Sequence, residues 1–275
     1  MPPLKSILVM ADRAADAQVA LQKAFVLARH FGARIDLLSC DPDQPWSARA
    51  AHQPEAAARA AAELRLDSRR FLAALRSSIS AEDLLIQNSD DLEGPLHEGI
   101  ASKVQSGGHH LVVRRLNRRE GRRRPSLTPL DWQVIRACPV PLMLTRGRPW
   151  RPSPRIVATL AASGEDGPRA HREVLDVAQY LARCCQGALE VVADAPRHRD
   201  GDAGIHPDSA AVGDPAAAAD AEAALARLAA PSDIDVVVLR ACGRLPGAST
   251  AGPALAQAIV DSLDCDVLLV PSRPH

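Results

Sequence analysis

The pattern of residues 5–145 is restated by residues 155–270, and this internal repeat limits the fold more than any single motif does. The first copy opens on KSILVMAD (5–12), an apolar run of strand length. An amphipathic stretch follows, AADAQVALQKAFVLARHFG, in which Val19, Ala20, Phe25, Val26 and Ala28 recur at helical spacing. Gly32 stands where a helix C-cap belongs. RIDLLSC then reads as a buried strand through Ile35, Leu37 and Leu38. A long helix at about 54–78, a strand at DLLIQ, a helix begun by Pro95, a strand at HHLVV and a last strand PLMLT complete the copy. Strand and helix alternate throughout, which predicts a parallel sheet covered on both faces.

After the Pro-rich stretch RGRPWRPSP (146–154) the order restarts. RIVATLAASG answers SILVMADRAA, HREVLDVAQYLARCCQG answers the first amphipathic helix, and ALEVVAD answers the second strand. DIDVVVLRACG and LAQAIVDSLDCDVLLV answer the last two strands of the first copy. The second copy is shorter. APRHRDGDAGIHPDS is loop-like and cannot hold a counterpart of the 54–78 helix, so a short strand (Ser209 to Val212) and a Pro215-started helix remain.

Composition narrows the function classes. A chain of 275 residues with 47% hydrophobic content can bury one large core or two modest ones, and its length favours two. Its 33 basic and 33 acidic side chains cancel, so no global field draws it to nucleic acid or an anionic membrane. No apolar run reaches the roughly 20 residues of a membrane span, and MPPLKSILVM is too short for a signal peptide. Six cysteines lack C-x-x-C spacing, and Cys138, Cys242 and Cys265 sit among apolar residues. Buried free thiols in a reducing cytoplasm are expected.

Residues 114–124 carry seven arginines in eleven positions. Such a run could grip phosphate by bidentate contacts at Arg118, Arg119, Arg122 and Arg123. The plainer reading is a solvated or internally paired loop, and nucleic acid is disfavoured because no stacking aromatic accompanies the charge. Asp194, His198, Asp200, Asp202, His206 and Asp208 share one loop without the spacing of a metal site, so no metal is expected. His109 and His110 open the fourth strand and are expected to be exposed or capping, and Trp132 is expected in the core. Cys184 and Cys185 are adjacent on a helix and form no redox pair. No catalytic constellation emerges.

Each copy resembles the universal stress protein family nearly end to end. The family's first strand, I-L-V-A-V-D, is similar to ILVMAD (7–12), and its last helix and strand are similar to TPLDWQVIRACPVPLMLT and GPALAQAIVDSLDCDVLLV. The tandem order and TPxDW at 128–132 look like the bacterial E-type branch. The resemblance implies two tandem doubly wound parallel five-stranded sheets, with a ligand crevice at the strand C-termini. Many members bind ATP through G-x2-G-x9-G-(S/T), whose glycines admit phosphate to the backbone N–H groups. Against that pattern the first copy keeps Gly121 alone, Thr128 and Pro129 occupy the Gly-Ser positions, and only Asp12 matches the aspartate after the first strand. In the second copy Gly243 fits, Arg240 replaces the first glycine, Gly252 falls one position early, and Ala161 replaces the aspartate. Degenerate nucleotide sites around Asp12, Gly243, Gly247 and Gly252 are therefore expected, without a bound cofactor.

These readings predict a first domain at 1–146, a linker at 147–154 and a shortened second domain at 155–275. They predict a non-enzymatic, cytoplasmic stress-response protein that supports survival under stress such as DNA damage, its repeats paired as an intramolecular pseudo-dimer. The alternatives are an ATP-binding or weakly hydrolysing sensor using the second copy, and a small-molecule or lipid carrier.

Overall fold

The computed structural model describes residues 3–13, 17–40, 54–79, 84–88, 96–116, 126–160, 167–193, 223, 225–226, 228, 233–241 and 251–271. In the first half β1 (Ser6–Asp12), α1 (Val19–Phe31), β2 (Arg34–Cys40), α2 (Pro54–Ser77), β3 (Ile86–Asn88), α3 (Leu96–Gly107), β4 (Leu111–Arg115), α4 (Pro129–Ala137) and β5 (Leu142–Thr145) follow in order. The second half has β6 (Arg155–Leu160), α5 (Gly167–Cys184), β7 (Ala188–Ala193), β8 (Val236–Arg240), α6 (Ala251–Ser262) and β9 (Asp266–Val270). Ala223, Leu225, Ala226 and Leu228 are also helical. The expected strand at 209–212, like the metal-poor loop before it, lies outside the described residues.

The nine strands among the described residues form one sheet, ordered β3-β2-β1-β4-β5-β9-β8-β6-β7. Within each half every pairing is parallel, as predicted for alternating strands and helices. The seam between the halves is antiparallel, with Leu142 opposite Leu269, Met143 opposite Leu268 and Leu144 opposite Val267. The two sheets expected from the repeat are thus joined edge to edge. A last strand left at a sheet edge would expose a row of unpaired N–H and C=O groups, and the seam satisfies them.

Alternation along the strands splits the interior into two layers rather than two domain cores. Leu8, Met10, Val112, Leu142, Leu144, Val157, Val237, Val267 and Leu269 belong to the layer holding Val134 and Ile135 of α4 and Ile259 of α6. Ile7, Val9, Leu111, Val113, Met143, Ile156, Val236 and Leu268 belong to the layer holding Ala24 and Leu27 of α1 and Val177 and Leu181 of α5. Both layers run across the seam. Fully burying each such side chain stabilises by about 1.5–3 kcal/mol.

Two details of the helices differ from the pattern reading. The buried stripe of α1 comprises Val19, Ala20, Leu21, Lys23, Ala24, Leu27 and Ala28, while Val26 is 39% exposed. The helix is rotated so that a lysine points inward. Gly32 caps α1 as expected, at φ 64° with its N–H donating to Ala28 O. Its counterpart Gly187 is not the left-handed residue. Gln186 takes that role at φ 51°, and Gly187 is required because a Cβ there would lie 2.4 Å from Pro154 O.

Candidate functional site

In a doubly wound sheet the crevice lies beyond the strand C-termini, which here brings Asp12, Arg114 and the start of α4 into one region. Asp12 ends β1 and is held through its backbone: Gln18 Nε2 donates to Asp12 O (2.7 Å), and Asp12 N donates to Gln18 Oε1 (3.2 Å). Gln18 immediately precedes α1, so strand end and helix start are stapled together.

The first turn of α4 is where a phosphate would seek free N–H groups. Two of them, the N–H groups of Thr128 and Asp131, are engaged from within. Thr128 is the N-cap, and Asp131 N donates to its Oγ1 (3.1 Å). Asp131 Oδ2 in turn accepts from Thr128 N (2.8 Å) and Thr128 Oγ1 (2.7 Å). The result is a capping box, with Pro129 in the first turn lacking an N–H. Asp131 Oδ1 then meets Arg114 Nη2 at 3.0 Å, both side chains being under 9% exposed. A buried carboxylate of the chain itself stands at the helix N-terminus, where the helix dipole favours negative charge.

Arg114 changes the reading of the arginine run. It and Arg115 end β4 rather than joining a loop, and Arg114 is buried. Its Nη1 has no acceptor among the described residues. Arg118, Arg119, Arg122 and Arg123 lie outside the described residues, as do Gly121, Gly243 and Gly247. Gly252 falls in the first turn of α6, followed by Pro253, so both corresponding helices carry proline in their first turn. Ser126, just before the α4 cap, accepts from Gln257 Nε2 in the middle of α6 (3.0 Å), which ties the approach to α4 to α6 across the halves.

His109 is buried, against the expectation of an exposed or capping residue. Its Nδ1 lies 2.8 Å from Ser6 Oγ and 3.4 Å from Asp36 Oδ2. The cluster has the composition of a catalytic triad without its wiring. A relay needs the hydroxyl and the carboxylate on different ring nitrogens, whereas both meet Nδ1 here. Nε2 is packed against Gly107, where an added Cβ would lie 2.4 Å away. Burial lowers the His109 pKa from its usual value, opposed by Asp36. Arg34 completes the group by donating to Ser6 Oγ (3.1 Å) and Gly107 O (2.7 Å). This cluster fastens the N-terminal ends of β1, β2 and β4.

Cys138, Cys185 and Cys265 are buried as free thiols, Cys184 is half-buried, and Trp132 packs partly buried on the α4 layer. Among the described residues no group of three metal-ligating side chains forms, and no helix is long and apolar enough to cross a membrane.

The chain is similar to known proteins over part or nearly all of its length. It is 34% identical over 79 residues to universal stress protein E of Escherichia coli K12, covering 28% of this chain and 25% of the relative. It is 26% identical over 190 residues to universal stress protein E of Salmonella typhi, covering 64% of this chain and 56% of the relative. The chain thus spans between a quarter and just over half of these curated relatives' length. Two solved structures share the fold across nearly the whole chain. A universal stress protein from Archaeoglobus fulgidus covers 96% of both chains at TM-score 0.59 and 13% identity. A Pseudomonas aeruginosa UCBPP-PA14 protein described as a universal stress protein covers 98% of this chain and 93% of its own at TM-score 0.63 and 21% identity. The model of the universal stress protein family matches residues 3–146, more than half of the sequence, and the chain belongs to that family.

Proposed function

We propose that this is a non-enzymatic stress protein whose first nucleotide crevice has been closed by its own side chains, acting in the cytoplasm as an internally paired tandem. The observation that carries the reading is the Thr128–Asp131 capping box tied to Arg114. An ATP phosphate at this helix start would have to displace a carboxylate already holding two donors and a guanidinium, and Pro129 offers it no N–H. The antiparallel β5–β9 seam supports the pseudo-dimer part of the reading, since a tether of a few residues keeps the repeats at roughly millimolar effective concentration. A part in surviving stress, DNA damage included, extends this reading from the resemblance to the E-type branch.

Isothermal calorimetry of the full chain with Mg-ATP, with native mass spectrometry of protein purified without added ligand, tests the proposal. No binding near micromolar affinity and no co-purified nucleotide are expected. Micromolar binding that Arg114→Met abolishes would place nucleotide in the first crevice and overturn the reading. Binding insensitive to that change would move the function to the second half.

A further inference from the structure

The second half carries two deeply buried carboxylates at the N-terminal ends of its central strands. Asp235 immediately precedes β8, and Asp266 begins β9, with side chains 0% and 2% exposed. Burying an unpaired carboxylate costs several kcal/mol, so the source of their counter-charges decides whether this half can stand alone.

Among the described residues, side-chain partners for both come from upstream. Asp266 pairs with Lys23 of α1 (Nζ–Oδ2 3.0 Å) and accepts from Arg146 N (2.6 Å) and Trp150 Nε1 (2.7 Å). Asp235 accepts from Arg151 Nε (3.0 Å) and from the backbone N of Arg155 (2.8 Å), with Arg148 Nη2 at 3.5 Å. Lys23 is itself held from three sides. Besides Asp266, its ammonium donates to Arg148 O (2.6 Å) and lies 4.8 Å from the Trp150 ring centroid. Arg146 also donates to Val260 O, fastening the same stretch to α6. Burial lowers the Lys23 pKa and raises that of Asp266, each opposed chiefly by the other's charge. Neither group is comfortable there without its partner.

The stretch 146–154 is therefore no idle spacer. It contributes the backbone N–H of Arg146, an indole and three guanidiniums to the second half while its Arg148 carbonyl and Trp150 ring hold Lys23 of α1. A separate contact joins the same two halves: Tyr180 of α5 packs its tilted ring on Phe31 (ring centroids 5.1 Å) and its hydroxyl accepts from Leu4 N (3.1 Å). We propose that the first half is the folding template of the second, with Lys23 as a clasp and 146–154 as a counter-ion strap on Asp235 and Asp266.

Hydrogen exchange with mass spectrometry on the full-length chain tests this, comparing Lys23→Met, Asp266→Asn and the double variant. Lys23→Met should speed exchange in β6, β8 and β9 by about tenfold or more while β1, β2 and β4 stay within about threefold. The double variant should be better protected than Lys23→Met, because it leaves no buried lone carboxylate. Should Lys23→Met yield no folded protein, Trp150→Phe removes one donor to Asp266 and keeps the ring. It should loosen β8 and β9 in preference to β1, β2 and β4. Acceleration equal in both halves, confined to α1, or absent in the folded variants would overturn the proposal.

Discussion

Replacing Asp131 with alanine removes one carboxylate that performs two tasks. It accepts from Thr128 N and Thr128 Oγ1 at the start of α4, and it pairs with Arg114 at 3.0 Å. Loss of a helix cap costs about 0.5–2 kcal/mol. Breaking a buried ion pair costs about 3–5 kcal/mol, because the partner stays buried without its counter-charge, and the Arg114 side chain is only 8% exposed. The two effects share one side chain and do not add, so a destabilisation of about 3–5 kcal/mol is expected, set against a total of about 5–15 kcal/mol for a typical folded protein. Urea unfolding followed by far-UV circular dichroism reads it directly. Asp131→Asn combined with Arg114→Met retains an acceptor at the cap and deletes both charges, and should lose under about 2 kcal/mol. A cost below about 1 kcal/mol for Asp131→Ala would mean that water or another group already serves Arg114, and the argument for a crevice sealed by charge would fail.

Two further outcomes follow from burial. The His109 pKa is depressed by burial, so on acidification the unfolded chain takes up this proton first and stability falls as pH drops below the unfolded value of about 6.5. The urea midpoint should decline between about pH 7 and about pH 5, and His109→Gln should shrink that decline; an unchanged slope would reassign the acid sensitivity. Burial pushes the Cys138 thiol up to about 11 and the Cys185 and Cys265 thiols up to about 12. Iodoacetamide at about pH 8 should leave these three unmodified until denaturant is added, since the thiolate is the reactive form; peptide mapping that finds any of them alkylated in the native chain contradicts the burial.

Residue order by itself determined the elements and their class. Strand-length apolar runs at ILVMAD and RIVATL, each followed by an amphipathic helix, specify parallel pairing because the connecting helix returns the chain to the same end of the sheet. That Thr128 and Pro129 stand where the family's phosphate loop has Gly-Ser was read from the sequence, whereas the capping box they form with Asp131 was shown by the structure. What the order of residues could not carry was the partner of each charge. Arg114 read as one more residue of a solvated run until β4 placed it against Asp131, seventeen positions away. Lys23 fell inside an apolar stripe, and its reason for being there lies at Asp266, on the far side of the seam. His109 likewise found Ser6 across 103 residues. Local pattern sets secondary structure because its hydrogen bonds and periodicity span a few residues. The pairing of buried charges depends on which strands and helices the fold brings together: β4 and α4 for Arg114 and Asp131, β1 and β4 for Ser6 and His109, and the β5–β9 seam for Lys23 and Asp266.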